Sequence, residues 1–467
     1  MNLFFECFNV LNNKRKNNKI INIMSEEIKE KNEGIELKSE SDKKFISFQV
    51  ILIGLLGAGA TIFGFYEGSF FNTYIDHVLE LPYIYIGFMV SISAIFGLTF
   101  VLVFGTWSDN CRSKLGRRRP FLIFGGIIAG TAMCVYPFSP NYWWCFVLDA
   151  IIIGIFSNMF YASTRPLIPD LIDIDHRGRA NAIVSIFSLF ATLSTVGLTL
   201  VANELFGRKS GGETVINQQG HILVLLYGGL SIIIVTIIGF IFLDEQRPSE
   251  LPEPKGFVSD IKESFQYEEL VKNKEFFKII IAMTIFNTGT RIITPYLFNY
   301  IFSLGLETLE LVFAIIFIAP AVLGGSLALG KASDTYGRKI FVTPIILISC
   351  IGFLMVPFLT PDNILSTVLL IIAVILVMFA TTCLLIPLGA WQQDLLPAGK
   401  KGQFIGILNI VSTVSQVPGA LIGGLIADSL GINWIFAFVP IFFILSIPFF
   451  LKTKESLPEE IRDELEI

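Results

Sequence analysis

Gly330-Lys331-Ala332-Ser333-Asp334 follows one apolar block and precedes another, and it is matched by Gly105-Thr106-Trp107-Ser108-Asp109 at an offset of 225 residues. Asp170-Leu171 and Gly178 are matched in the same way by Asp394-Leu395 and Gly402, each at an offset of 224. Two separate motifs sharing nearly one offset mark a duplicated chain with two like halves. Apolar blocks lie near 48–76, 83–106, 120–138, 142–166, 180–203 and 221–243 in the first half. In the second they lie near 276–303, 308–330, 340–360, 364–389, 402–427 and 432–452. Blocks of about 20 apolar residues cross a hydrocarbon core about 30 Å thick, and backbone in lipid must close its hydrogen bonds within helices or closed barrels. The expected fold is therefore an all-α membrane protein of twelve transmembrane helices in two pseudo-symmetric six-helix bundles. Parallel repeats of this kind hold a solute at mid-membrane between the halves and rock around it.

The rest of the 467-residue chain agrees. Hydrophobic residues make up 53% and charged residues 16%, against about 25% charged in soluble domains. Domain limits follow: a disordered tail over 1–47, bundles over 48–243 and 276–452, a central loop over 244–275 and an acidic tail over 453–467. The stretch Phe257–Phe265 reads as a short amphipathic helix at the membrane interface. Residues 1–47 are not a signal peptide, since the apolar start precedes the basic run Asn12–Lys19, and Met24 is a candidate alternative start. The cysteines Cys7, Cys111, Cys134, Cys145, Cys350 and Cys383 have no metal-ligand spacing. They read as apolar filler, with a disulfide between Cys134 and Cys145 as the alternative.

Basic residues set the orientation. Alternate loops carry Arg112, Lys114, Arg117, Arg118 and Arg119, then Arg177 and Arg179, then Lys331, Arg338 and Lys339, then Lys400 and Lys401. The opposite loops carry only Arg208 and Lys209. The first set, and with it both termini, is expected in the cytoplasm of a cell-membrane protein. The arginines form no basic face for nucleic acid.

The loop Gly330-Lys-Ala-Ser-Asp334-Thr-Tyr-Gly337-Arg338-Lys339 resembles the G-x-x-x-D-x-x-G-R-K signature of the major facilitator superfamily. Ser108-Asp109-Asn-Cys-Arg112-Ser-Lys-Leu-Gly116-Arg117-Arg118-Arg119-Pro120 is three residues longer. That form is similar to the plant sucrose transporters, the animal proton-coupled sugar transporters and the glycoside–pentoside–hexuronide:cation symporters. Ser157-Asn158-Met159, then Arg165 and Asp170-Leu171, resemble the N-N-M…C-R-A…D-L stretch of the sucrose transporters. Those carry an Asp eleven residues before the Arg, where this chain has Gly154. At about 100° per residue, Asp149 falls roughly 160° around the helix from Arg165. The coupling carboxylate that the resemblance implies on the fourth helix is therefore expected to be absent.

An Asp at the end of the second helix can cap an opposing helix N-terminus, and Arg clusters bind carboxylates bidentately. Asp109, Arg117, Arg118, Asp170 and Arg179, with Asp334, Arg338, Asp394 and Lys401, are the expected cytoplasmic gate, closing the bundles in one state and parting in the other. Arg119 and Lys339 read as topology signals.

An ionisable residue within a span costs about 2.5–3.5 kcal/mol on insertion scales and is by default functional. Glu67, Arg165 and Arg291 stand out. Glu67 lies in Gly64-Phe-Tyr-Glu67-Gly, and the resemblance implies a carboxylate shared with the animal sugar transporters. Tyr74-Ile75 matches Tyr300-Ile301, so shifting Glu67 by 225 lands beside Arg291. The two are expected to face each other across the central cavity, either as a proton-coupling pair or as a permanent ion pair. Asn158 shares a face with Arg165, and Asn287 with Arg291. Tyr66, Phe63, Phe70, Trp391, Gln392 and Gln393 are candidate lining residues for a hydroxylated solute, although Trp391 and the glutamines also suit the end of the tenth helix.

The expected function is secondary transport of a sugar or glycoside with a proton, by a monomer without cofactor. A facilitator or efflux antiporter for another small solute is the alternative, and a transport-dead sensor a further one. No GxxxxGK[ST] loop or catalytic triad pattern occurs, and His77, His176 and His221 lie in or near loops, so neither ATP-driven pumping nor an enzyme is expected.

Overall fold

The computed structural model describes residues 48–172, 176–245, 273–396 and 401–456, with backbone alone at 401–410 and 412. The expected tail 1–47, most of the central loop including Phe257–Phe265, the end of the acidic tail and the Lys401 side chain lie outside the described residues.

Among the described residues, eleven helices are long and apolar enough to cross a membrane. They are α1 (Phe48–His77), α2 (Tyr83–Asn110), α3 (Arg119–Phe138), α4 (Tyr142–Leu171), α5 (Arg177–Phe206), α6 (Gln218–Phe242), α7 (Lys274–Ser303), α8 (Thr308–Tyr336), α9 (Lys339–Phe358), α10 (Ile364–Asp394) and, last in the chain, α12 (Ile432–Lys452). The helix Lys401–Leu430, α11, completes twelve. Long apolar runs favour the helix because every interior N–H and C=O is paired within it. Side chains cover the N-terminal donors that remain. Asn141 accepts from Trp143 and Trp144 at the start of α4, Asn217 from Gly220 at α6, Asn273 from Phe276 at α7 and Asn363 from Ser366 at α10. A capping box of Glu307 and Glu310 starts α8.

Between α5 and α6 a two-stranded hairpin forms from β1 (Gly207–Ser210) and β2 (Glu213–Ile216). It marks one end of the molecule, the hairpin face. The Arg-rich loops mark the other, the motif face. Gly212 in the hairpin turn and Gly305 after α7 both have positive φ. Any Cβ at Gly305 would collide with the Gly212 carbonyl, so two glycines allow this junction of the halves.

Both α4 and α10 carry a π-helical stretch, Val147–Ile153 and Phe379–Cys383. The π form widens a turn and shifts every later side chain around the axis. The described cysteines Cys111, Cys134, Cys145, Cys350 and Cys383 are free thiols. Cys134 and Cys145 are therefore not bridged, and Cys145 packs in the core instead.

Candidate solute site and gates

Glu67, Asp149 and Arg291 line one cavity of about 190 Å³ between the halves. Its walls come from α1, α2, α4, α7 and α11, and Asn72, Ser93 and Gln416 add polar groups. Gly64 and Gly68 flank Glu67 on α1 and give the wall little side-chain bulk. Thr294-Pro295-Tyr296 breaks α7 into a 3₁₀ turn just past Arg291.

The sequence geometry puts Glu67 and Arg291 on this cavity but excludes Asp149. The count from Arg165 misses this placement because Arg165 itself stands off the cavity, while Asp149, inside the π stretch Val147–Ile153, lines it. Asp149 is buried at 4% exposure and is a second carboxylate on the cavity, five residues before the position where the resemblance implies one.

Other sequence candidates are placed elsewhere. Tyr66 turns into its own half, donating to the Thr195 carbonyl at 3.0 Å, with its ring against Phe70 and Tyr227. Phe63 and Phe70 are core residues. Asn158 donates to the Gly154 carbonyl at 2.8 Å and packs on Gly97 of α2. Arg165 ends the regular part of α4, exposed, with its guanidinium 5.4 Å from the centre of the Tyr161 ring. Asn287 is half-buried on α7 and outside the cavity wall. Trp391 is fully buried, donating to the Lys454 carbonyl at 2.9 Å and stacking on Phe450, which ties α10 to the end of α12. Gln392 and Gln393 sit beside it at the motif face, off the cavity.

Among the described residues, the ion pairs of the motif-face arginines lie within each half. Arg117 and Arg118 each reach Asp109 at 2.8 Å, and Arg118 also holds Asp170 at 3.0 Å. Arg338 repeats the arrangement with Asp334 at 2.8 Å and Asp394 at 2.9 Å. Partial burial works against the Arg338 charge, but the bonds to Asp394 and Asp334 outweigh it and hold its pKa above the ordinary value. Arg179 is exposed and stands apart from both clusters.

Two acids absent from the sequence candidates complete these clusters. Glu245 accepts the N–H groups of Arg117, Arg118 and Arg119 at 2.6, 2.8 and 2.8 Å. Glu455 accepts those of Arg338 and Lys339 at 3.2 and 2.8 Å. Each covers the first donors of α3 or α9, and each lies just past the last helix of its half.

Bonds that join the halves cluster at the hairpin face. Asp428, near the end of α11, accepts from the backbone N–H of Tyr83 at 2.7 Å and Ile84 at 2.8 Å. The capping of an opposing helix expected of Asp109 is thus carried out by Asp428 at the other face. Asn72 donates to the Pro295 carbonyl at 2.8 Å, Asn299 to Asp76 at 2.7 Å and Asn203 to Thr308 at 3.1 Å. Lys209 pairs with Glu307 at 3.5 Å. The hairpin face is closed.

Twelve spans in two like halves, with a polar cavity between them, define a transporter of small solutes. The family model of the Major Facilitator Superfamily matches residues 50–363 and 310–466, and the chain belongs to that superfamily. It is therefore a multi-pass integral membrane protein and not an enzyme. It is 25% identical over 181 residues to sucrose transport protein SUC3 of Arabidopsis thaliana, covering 34% of this chain and 30% of the relative. The match thus spans less than a third of that relative's length. A multi-drug resistance efflux pump PmrA homolog of Lactococcus lactis is 25% identical over 349 residues, covering 74% of this chain and 78% of the relative. The crystal structure of a D-xylose-proton symporter superposes with a TM-score of 0.60 at 14% identity, covering 88% of this chain and 98% of that one. Identity that low speaks for the fold alone.

Proposed function

We propose that the protein carries a sugar or glycoside together with a proton by alternating access, working as a monomer in the cell membrane. In this reading the motif face and both termini lie in the cytoplasm, and the described conformation is open inward. The observation that carries it is the meeting of Glu67, Asp149 and Arg291, from three helices and both halves, on one cavity within the membrane span. Carboxylates at this depth are costly as lone anions, and Arg291 lines the same cavity. In this reading a charged Glu67 or Asp149 competes for Arg291, and a proton on the carboxylate leaves Arg291 to a solute hydroxyl. Proton and solute binding are then linked through one arginine. The similarity to a sucrose transport protein supports a sugar, and the two carboxylates on the cavity support a proton.

The efflux-pump relative, which matches most of this chain, favours a second reading, antiport of another organic solute. Uptake of labelled sugars into proteoliposomes, with and without an inward proton gradient, separates the two. Symport predicts accumulation of at least one sugar under the gradient, reduced tenfold or more in Glu67→Gln. Antiport predicts that the opposite gradient drives uptake. An unchanged pH dependence in Glu67→Gln removes the proton role, and no flux with any sugar defeats the sugar reading.

A further inference from the structure

Asn72 of α1 lies in the roof of the Glu67 cavity, toward the hairpin face. Gly64, Gly68 and Asn72 recur every four residues, the spacing of one helix face, and all three line the cavity. A Cβ at Gly68 would meet nothing within 4 Å, so open space lies immediately below the Asn72 amide. Opposite stands Pro295, in the 3₁₀ turn that divides α7 and on the same cavity wall. Along α2 and α11 the backbones of the two halves touch: a Cβ at Gly87 would lie 2.6 Å from the Ala420 carbonyl oxygen, and one at Gly424 2.9 Å from that of Tyr83. The meeting of α1 with α7 is held by side chains instead.

Asn72 is 2% exposed, and the two ends of its amide have different roles. The nitrogen donates to the Gly68 carbonyl at 3.2 Å and across the halves to the Pro295 carbonyl at 2.8 Å. Both partners can only accept, so the nitrogen has to face them and the oxygen points elsewhere. Among the described residues no donor reaches Asn72 Oδ1. Asn203 and Asn299 also join the halves through their amide nitrogens, but their Oδ1 atoms are sealed in the packing. Asn72 Oδ1 is not sealed, and the space it borders is the cavity. Among the described cross-links at the hairpin face, the Asn72–Pro295 bond is the one with both partners on the cavity wall. A nearly buried acceptor without a donor is met by a solute hydroxyl. An amide that accepts at its oxygen also donates more strongly at its nitrogen, because bonded groups polarise one another.

We propose that Asn72 binds the solute and couples occupancy to closure of the hairpin face: a solute hydroxyl donates to Oδ1, and the same amide holds the Pro295 carbonyl. The site selects a solute with a free hydroxyl directed at the hairpin face and rejects one that lacks it. The coupling is reciprocal, so that the factor by which the solute favours closure is the factor by which closure raises its affinity. The inference rests on the reading of the Glu67 cavity as a sugar site and is independent of the proton.

The test uses the full chain in lipid nanodiscs, with labelled D-glucose and D-galactose as probes and their monodeoxy analogues as competitors. Wild-type protein is expected to bind at least one hexose saturably and to lose about tenfold in affinity for one of its monodeoxy analogues, as a site built to pair a hydroxyl does. In Asn72→Leu that loss should fall below twofold, while the losses for the other analogues stay, which also shows the variant to be folded. Spin labels at Arg208 and Leu309, exposed at the hairpin face, read the closure. The bound hexose is expected to raise the ratio of closed to open distances at least threefold in wild type and to leave it unchanged in Asn72→Leu. No saturable binding of either hexose defeats the sugar reading and this inference with it. Equal analogue preferences in wild type and variant keep the sugar reading and overturn the role of Asn72. A hexose that binds wild-type protein without moving the distances overturns the coupling, whether or not the variant folds.

Discussion

Glu245 holds three consecutive backbone N–H groups with one carboxylate, at the positive end of the α3 dipole. Its removal leaves the start of α3 uncapped, between two arginines that already share Asp109 and Asp170. Glu245→Ala is expected to cost about 1–2 kcal/mol, the upper range for a lost helix cap, read as a lower unfolding temperature in nanodiscs. Glu455→Ala should behave alike and add to it, since the two caps stand in separate halves. An unmoved melting curve in the double variant means that water caps both helices as well. The sequence comparison pairs Asp109 with Asp334 and Asp170 with Asp394 but passes over these glutamates. Their separation is 210 residues and not 225, because the chain between each half's motifs and its last helix differs in length. Glu67 and Arg291 were legible, since lone charges in apolar runs are rare. Asp149 is equally visible as a residue, but its place on the cavity is not, because Arg165, against which the sequence phases it, stands off that cavity.

Which wall a residue joins is a property of its helix and that helix's neighbours, not of the residue alone. Hydropathy finds where each span runs, and the expected blocks fall within a few residues of the observed helices. It carries no signal for the π stretches in α4 and α10. The motifs likewise show which charges share a loop but not which loop opposes which helix. The bonds of Asp428 to Tyr83 and Ile84 join helices of different halves, a juxtaposition that only the packed structure supplies. A carboxylate on two N–H groups at a helix start contributes about 1–2 kcal/mol, which corresponds to a shift of roughly 5–30-fold in an equilibrium. Asp428→Ala is therefore expected to raise the population open at the hairpin face by about that factor. Spin labels at Arg208 and Leu309, both exposed at that face on the α5–α8 side, report it as a longer-distance peak in pulsed dipolar spectra. Wild-type distances in the variant would mean that the α2–α11 contact alone holds the seam.

At the scale of the molecule the two faces have different mechanics. At the motif face the described charge clusters are internal to each half and stiffen the ends of α2 and α8. The hairpin face holds the cross-links: Asn72 to Pro295, Asn299 to Asp76, Lys209 to Glu307 and the two glycines of the hairpin junction. Alternating access needs these to part while the α2–α11 seam serves as the pivot, because its backbone contacts leave no room for sliding side chains. A covalent bridge across the hairpin face should then trap the described state. Cysteines in place of Lys209 and Glu307, whose charged groups lie 3.5 Å apart, can be joined by a short cleavable bis-thiosulfonate reagent. Uptake into proteoliposomes is expected to fall at least tenfold on bridging and to return when a reductant cleaves the bridge. Each single-cysteine variant, treated alike, controls for reaction at the native thiols and should keep its rate. Binding of a solute from the motif face should survive the bridge, because the Glu67 cavity lies below it. Transport that continues through the bridged protein would show that the hairpin face does not open, and the rocking of two like halves about the α2–α11 seam would have to be abandoned.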